Sequence, residues 1–178
     1  MKIVILAFFL FFCGCIFGQE LPSKTQRKLR KTLKEMLEDD QEYRGALAAD
    51  ATLSFDSMMY LQTQNDLINR EKFMNLIRNY GYPSYDRIGN GLSGVLTLHF
   101  TTENDFFVLM HLFNDELKKG NMPPVEFARW YDRCQINMHG ENSFGEYGKK
   151  EFCADEIDII NLNRASVGLE NLTPVACD

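Results

Sequence analysis

The chain has 178 residues, with 19 basic and 25 acidic side chains and a formal net charge of -6. This acidic excess argues against duplex nucleic acid as a partner, because such binding rests on a basic footprint. Length allows one domain with a real core, and about 160 residues remain once an N-terminal leader is set aside.

That leader is residues 1–18. Lys2 supplies the positive flank, Ile3 to Phe12 form an uncharged apolar run, and small or neutral residues follow to Gly18. The pattern predicts a secretory signal peptide cleaved after Gly18, so the mature chain is expected to be secreted or periplasmic, with no membrane span after signal removal. Lipid attachment at Cys15, behind Gly14, is the alternative. Residues 19–27 are polar and predict a flexible segment, and 28–178 predict a single helical domain. The basic run Lys24, Arg27, Lys28, Arg30, Lys31 and Lys34 reads as a solvated helix face, with an anionic membrane surface as the other reading.

Leu29, Leu33, Met36, Leu37 and Leu47 follow a helical period from Lys28 to about residue 47. Residues 53–61 predict a short helix or irregular link. Asn69 is a candidate cap for the next helix, which carries Phe73, Met74, Leu76 and Ile77 and stops at Gly81 and Pro83. Residues 92–100 alternate like a strand but also fit a helical stripe. A helix is expected over 103–119, ended by Gly120. Another opens at Pro123-Pro124 and runs through Cys134 or a little beyond. Residues 139–151 predict an irregular loop or short hairpin, and a last helix runs from about Asp155 to Val167. The expected architecture is mainly α: a bundle of about five to six helices.

Export favours disulfides over thiols. Cys134, Cys153 and Cys177 remain after cleavage, and an odd count leaves one without an intramolecular partner. Cys153 with Cys177 is the expected bridge, and Cys134 with Cys153 the alternative. No spacing among His99, His111 and His139 matches a hydrolytic zinc site, so no metal is expected. Nor is a cofactor, since there is no Gly-rich phosphate loop. Ser93 lacks the flanking glycines of a nucleophile elbow.

Five segments together resemble one bacterial family, the domain of unknown function catalogued with the number 6624. They are Asp40-Gln41-x-x-Arg44, Asp66-x-x-Asn69 followed by Gly81-Tyr82-Pro83, then His99, Ala128-x-x-x-Asp132-Arg133, and Asn161-x-x-Arg164-x-x-x-Gly168-Leu169. The resemblance spans roughly Leu33 to Pro174. It implies a mainly helical fold, which tips residues 92–100 toward helix, and it implies no activity. Two positions depart from the pattern: Leu98 stands where relatives have Gln before the histidine, and Ser143-Phe144-Gly145-Glu146-Tyr147 replaces a Gln-x-Tyr-Gly-Thr-Gln loop. The resemblance makes Ser143, Phe144, Gly145 and Tyr147 a candidate binding loop.

Asp40, Gln41, Arg44, His99, Asp132, Arg133 and Arg164 are expected to converge as one polar cluster. Charges within apolar-periodic segments are tolerated only when paired. Asp40 with Arg44 and Asp132 with Arg164 are the expected pairs. Arg133 would then be left for an anionic ligand or a partner's carboxylate. The favoured function is an exported, non-catalytic binding or interaction domain whose partner is a protein or a small anionic ligand. The alternative is a hydrolase using His99 with Asp132 or Asp105.

Overall fold

The computed structural model describes residues 20–46, 53–148 and 151–176. The expected signal peptide, Cys15, Leu47 and Cys177 lie outside the described residues. Among those described, the chain forms seven helices and no strand: α1 (Ser23–Ala46), α2 (Phe55–Tyr80), α3 (Tyr85–Ile88), α4 (Leu92–Thr97), α5 (Glu103–Lys118), α6 (Pro124–His139) and α7 (Ala154–Ser166). None of them is long and apolar enough to cross a membrane.

Leu29, Leu33 and Met36 recur at helical spacing on α1 and are all buried. They pack against an antiparallel α2. Lys28 meets Tyr80 at one end of this pair, Asn69 Nδ2 donates to the Met36 carbonyl at 2.9 Å, and Asn65 Nδ2 donates to the Asp39 carbonyl at 3.0 Å. The opposite face of α1 is solvated, and Lys31 and Lys34 form exposed i,i+4 pairs with Glu35 and Glu38. Pairs of this kind contribute a few tenths of a kcal/mol at most, by the usual order of magnitude.

Two sequence expectations are corrected here. Ser23 to Arg27, expected to be flexible, form the first turn of α1, and Gln26 Nε2 donates to the Leu21 carbonyl at 2.9 Å. The expected break before Asn69 is absent, because α2 is one helix of 26 residues capped by Ser54, whose hydroxyl accepts from the Ser57 amide. Asn69 is buried mid-helix, and its amide serves α1 rather than its own helix end. Of the two readings of 139–151, the irregular loop is the one formed among the described residues, as turns and bends.

Residues 92–97 are helical, as α4. Its inward face carries Ser93, Leu96 and Thr97, and Ser93 Oγ donates to the Pro83 carbonyl at 2.8 Å. A capping box between Thr102 and Asp105 starts α5. Pro124 opens α6 at a position where its missing N–H costs nothing. The centre of the core is aromatic. Phe73, Tyr82, Phe113 and Trp130 meet mostly edge to face, and the buried Trp130 indole donates to the Phe100 carbonyl at 2.8 Å.

A smaller second core holds Phe152, Ile157 and Ile160, with Leu172 packed against it. Asn161 fixes it by bonding both backbone groups of Leu172, at 2.7 and 3.0 Å. The tail also returns past its own start, since the Val175 amide donates to the Phe152 carbonyl at 3.0 Å.

Candidate functional site

The expected polar cluster resolves into two centres. The first follows from the stripe on α1. Leu29, Leu33 and Met36 continue at the next helical step to Asp40, so a carboxylate occupies a core-facing position and is 3% exposed. Its partners surround it. Arg44, one turn on, donates to Asp40 Oδ1 from Nε at 3.2 Å and from Nη2 at 3.1 Å. Gln41 Nε2 reaches Asp40 Oδ2 at 2.6 Å, and His99 Nδ1 lies 3.4 Å from Asp40 Oδ1. From α2, Asp66 Oδ1 accepts from Arg44 Nη2 at 2.7 Å. With its carbonyl oxygen turned toward Arg44, Gln62 accepts from Nε at 2.8 Å.

Two groups here are shifted. Burial, opposed by Arg44 and reinforced by the neighbouring Asp40 carboxylate, raises the Asp66 carboxyl to about 6. A proton held by Asp66 relieves the repulsion between the two carboxylates. His99 is held below its usual value by burial, which outweighs the pull of Asp40; Arg44 and Arg133 act in the same direction as burial.

The second centre is built on Asp132. Asp132 and Arg133 are adjacent on α6 and so point about 100° apart. Arg133 turns toward the His99 side and lies over the Tyr147 ring, 5.2 Å from its centroid. Asp132 is fully buried and turns to the loop. Its Oδ1 accepts from the amides of Ser143 and Phe144 at 2.9 and 2.7 Å, and its Oδ2 from the amide of Glu146 at 2.7 Å. Burial raises the Asp132 carboxyl, and these loop amides oppose the rise.

Arg164 does not pair with Asp132 as expected. It donates to Glu146 Oε1 at 2.8 Å and to the carbonyls of Phe144 and Glu170. Gly145 completes the loop at φ +73°, where a Cβ would come within 2.8 Å of Leu172 and 2.9 Å of Phe152. The loop that the resemblance singles out is therefore wound around an aspartate and clamped by an arginine.

Neither His99 dyad of the hydrolase alternative is formed. Both oxygens of Asp132 are taken by loop amides. Asp105 accepts from Arg70 at 2.6 Å and from Thr102 at 2.8 Å. His99 has Asp40 as its carboxylate neighbour. Cys134 is a free, buried thiol, which overturns the alternative bridge to Cys153. Cys153 is not a free thiol, and Cys177, its expected partner, lies outside the described residues. His111 is exposed.

Sequence reasoning passed over two other buried networks. The core stripe of α5, Leu109 and Phe113, begins at Asp105 and ends at Glu116. Asp105 meets Arg70 of α2. Glu116 accepts from the Tyr82 amide, Lys119 and Asn121 at 2.7–2.8 Å, and these bonds hold its carboxyl below the usual range against the effect of burial. Gly81 is confined beside that carboxylate: at φ +75°, a Cβ would meet Arg87 and Asn121 at 2.7 Å. The signal for both acids was their place on an apolar stripe.

Nor does sequence show an open cleft of about 980 Å3 among the described residues. Its walls are helical stripes: Met110, Asn114, Leu117 and Lys118 on α5, and Pro124, Phe127 and Tyr131 on α6. Asn163, Ser166 and Val167 at the end of α7 face them, Ser143 and Phe144 of the anchored loop close one side, and Asp86 and Arg87 border another. The volume suits a small ligand, and the lining combines an apolar bed with a few polar groups, as ligand sites do. Of the residues expected from sequence, only Ser143 and Phe144 line it; the Asp40 cluster does not.

Fold and site thus define a small helical protein with a ligand-sized cleft between α5, α6 and α7. No family model, no curated protein and no solved structure matches the chain.

Proposed function

We propose that the chain is an exported, non-catalytic binding domain, and that its ligand occupies the α5–α6–α7 cleft. The observation that carries this reading is the cleft itself: about 980 Å3, floored by Met110, Leu117, Met122, Phe127 and Phe144, with polar groups at intervals. Methionines suit such a bed because their flexible thioethers adapt to a ligand's shape. Three buried acids, Asp132, Asp105 and Glu116, spend their oxygens on backbone amides and neighbouring side chains, which is a structural use. Export rests on the N-terminal pattern of Lys2, the apolar run and Gly18. Membership of the family catalogued with the number 6624 is likewise a proposal, supported by the order of its motifs.

Binding of an uncharged naphthylamine dye tests the cleft. Dye fluorescence is expected to rise with the wild-type protein and to stay at its solvent value with Val167→Trp, which fills the cleft from its α7 wall. Equal enhancement by both proteins would place the dye elsewhere and remove the support for this site.

A further inference from the structure

We propose that the cleft takes a linear aliphatic carboxylate, with the chain laid along α5 and the head group at Lys118. This rests on the cleft being the ligand site.

Met110, Asn114 and Lys118 are spaced by four residues, so they form one line on the α5 wall. Eight residues at 1.5 Å each make that line about 12 Å long. An extended saturated chain of ten carbons has a similar length.

The line is polarised. At the Met110 end the facing residues are Tyr131 and Phe144, in edge-to-face contact with each other at 5.2 Å. At the Lys118 end lie Gly120, Pro123 and the α3 residues Asp86 and Arg87.

The charges at that end decide the head group. Arg87 is buried and committed: it donates to the carbonyls of Tyr82 and Tyr80 at 2.7 Å, beside the Glu116 carboxylate. Lys118 is exposed and has no hydrogen-bond or ion-pair partner among the described residues, whereas its neighbour Lys119 is held by Glu116 at 2.8 Å. Asp86 is the one acid in the lining, and it is exposed on α3, so the α5 wall presents a cation and no acid. Asn114, one turn before Lys118, also has no partner among the described residues and can donate to a carboxylate oxygen. A ligand with an apolar chain and an anionic, hydrogen-bond-accepting end meets every part of this line. A cationic head would face Lys118 directly.

The test is displacement of the uncharged naphthylamine dye from the full-length mature protein by decanoate, decanol and decyltrimethylammonium. Decanoate is expected to displace the dye at about fivefold lower concentration than decanol, the scale of one partly exposed charge pair. The ammonium compound is expected to be the weakest. Lys118→Gln is expected to bring decanoate and decanol together while dye binding persists. Equal displacement by all three, or an unchanged decanoate preference in Lys118→Gln, would overturn the head-group assignment and leave the cleft standing as a binding site. No dye uptake by the wild-type protein would instead remove the cleft reading and this inference with it.

Discussion

Asp66→Asn is expected to stabilise the protein above pH 6 and to change little near pH 4. An asparagine copies the protonated acid: its carbonyl can accept from Arg44, as Asp66 does, and it places no charge beside Asp40. The magnitude follows from the shift. A folded-state value of about 6 against 3.8 means that the fold holds a proton which the unfolded chain releases. The contribution of this carboxyl is therefore fully present below pH 3.8, falls as pH rises, and is lost above pH 6. The ceiling on that loss is about 3 kcal/mol. The Asp66 side chain is 27% exposed, so solvent screening reduces the expected gain in the variant to about 1–2 kcal/mol. Urea denaturation of both proteins at pH 4 and pH 7.5 reads this directly. His99 and Asp132 titrate in both proteins and cancel in the difference. A variant less stable than wild type at both pH values, or a difference that does not change with pH, would refute the raised Asp66 carboxyl.

Arg164→Ala is expected to destabilise by roughly 3 kcal/mol, because a buried cation that holds Glu146 and two carbonyls disappears and leaves Glu146 with the longer contact to Arg129 at 4.0 Å; the shift in urea midpoint measures it, and wild-type stability would show that the clamp contributes nothing. Gly145→Ala is expected to cost about 1–3 kcal/mol through left-handed backbone and contact with Leu172 and Phe152; an unchanged melting temperature would contradict it. Peptide mapping without reduction is expected to recover Cys153 linked to Cys177. Cys134, whose thiol burial pushes up to about 12, should resist alkylation until the protein is unfolded; rapid labelling of Cys134 in the native state would count against its burial.

Period and composition are local properties. The helical class, α5 and α6, and the burial of Leu29, Leu33 and Phe73 were therefore readable from spacing alone. So was the pairing of Asp40 with Arg44, since one turn of helix brings them together. The order of motifs added Asp66 and the 143–147 loop, without saying what either touches. The span of α2 was misread because Asn69 has the chemistry of a cap, and only its neighbour α1 shows that its amide is used across the helix pair.

The partners of His99, Asp132 and Arg164 come from tertiary packing. Sequence could say that buried charges need partners, but not which ones, because each partner lies on another element or in the loop. Asp132 and Arg133 go separate ways because adjacent helical residues diverge, and the loop amides that claim Asp132 were invisible until the loop closed on α6. The cleft is the extreme case. Each of its walls reads in sequence as an ordinary helical stripe, and only the distance at which α5, α6 and α7 are held apart turns those stripes into a cleft.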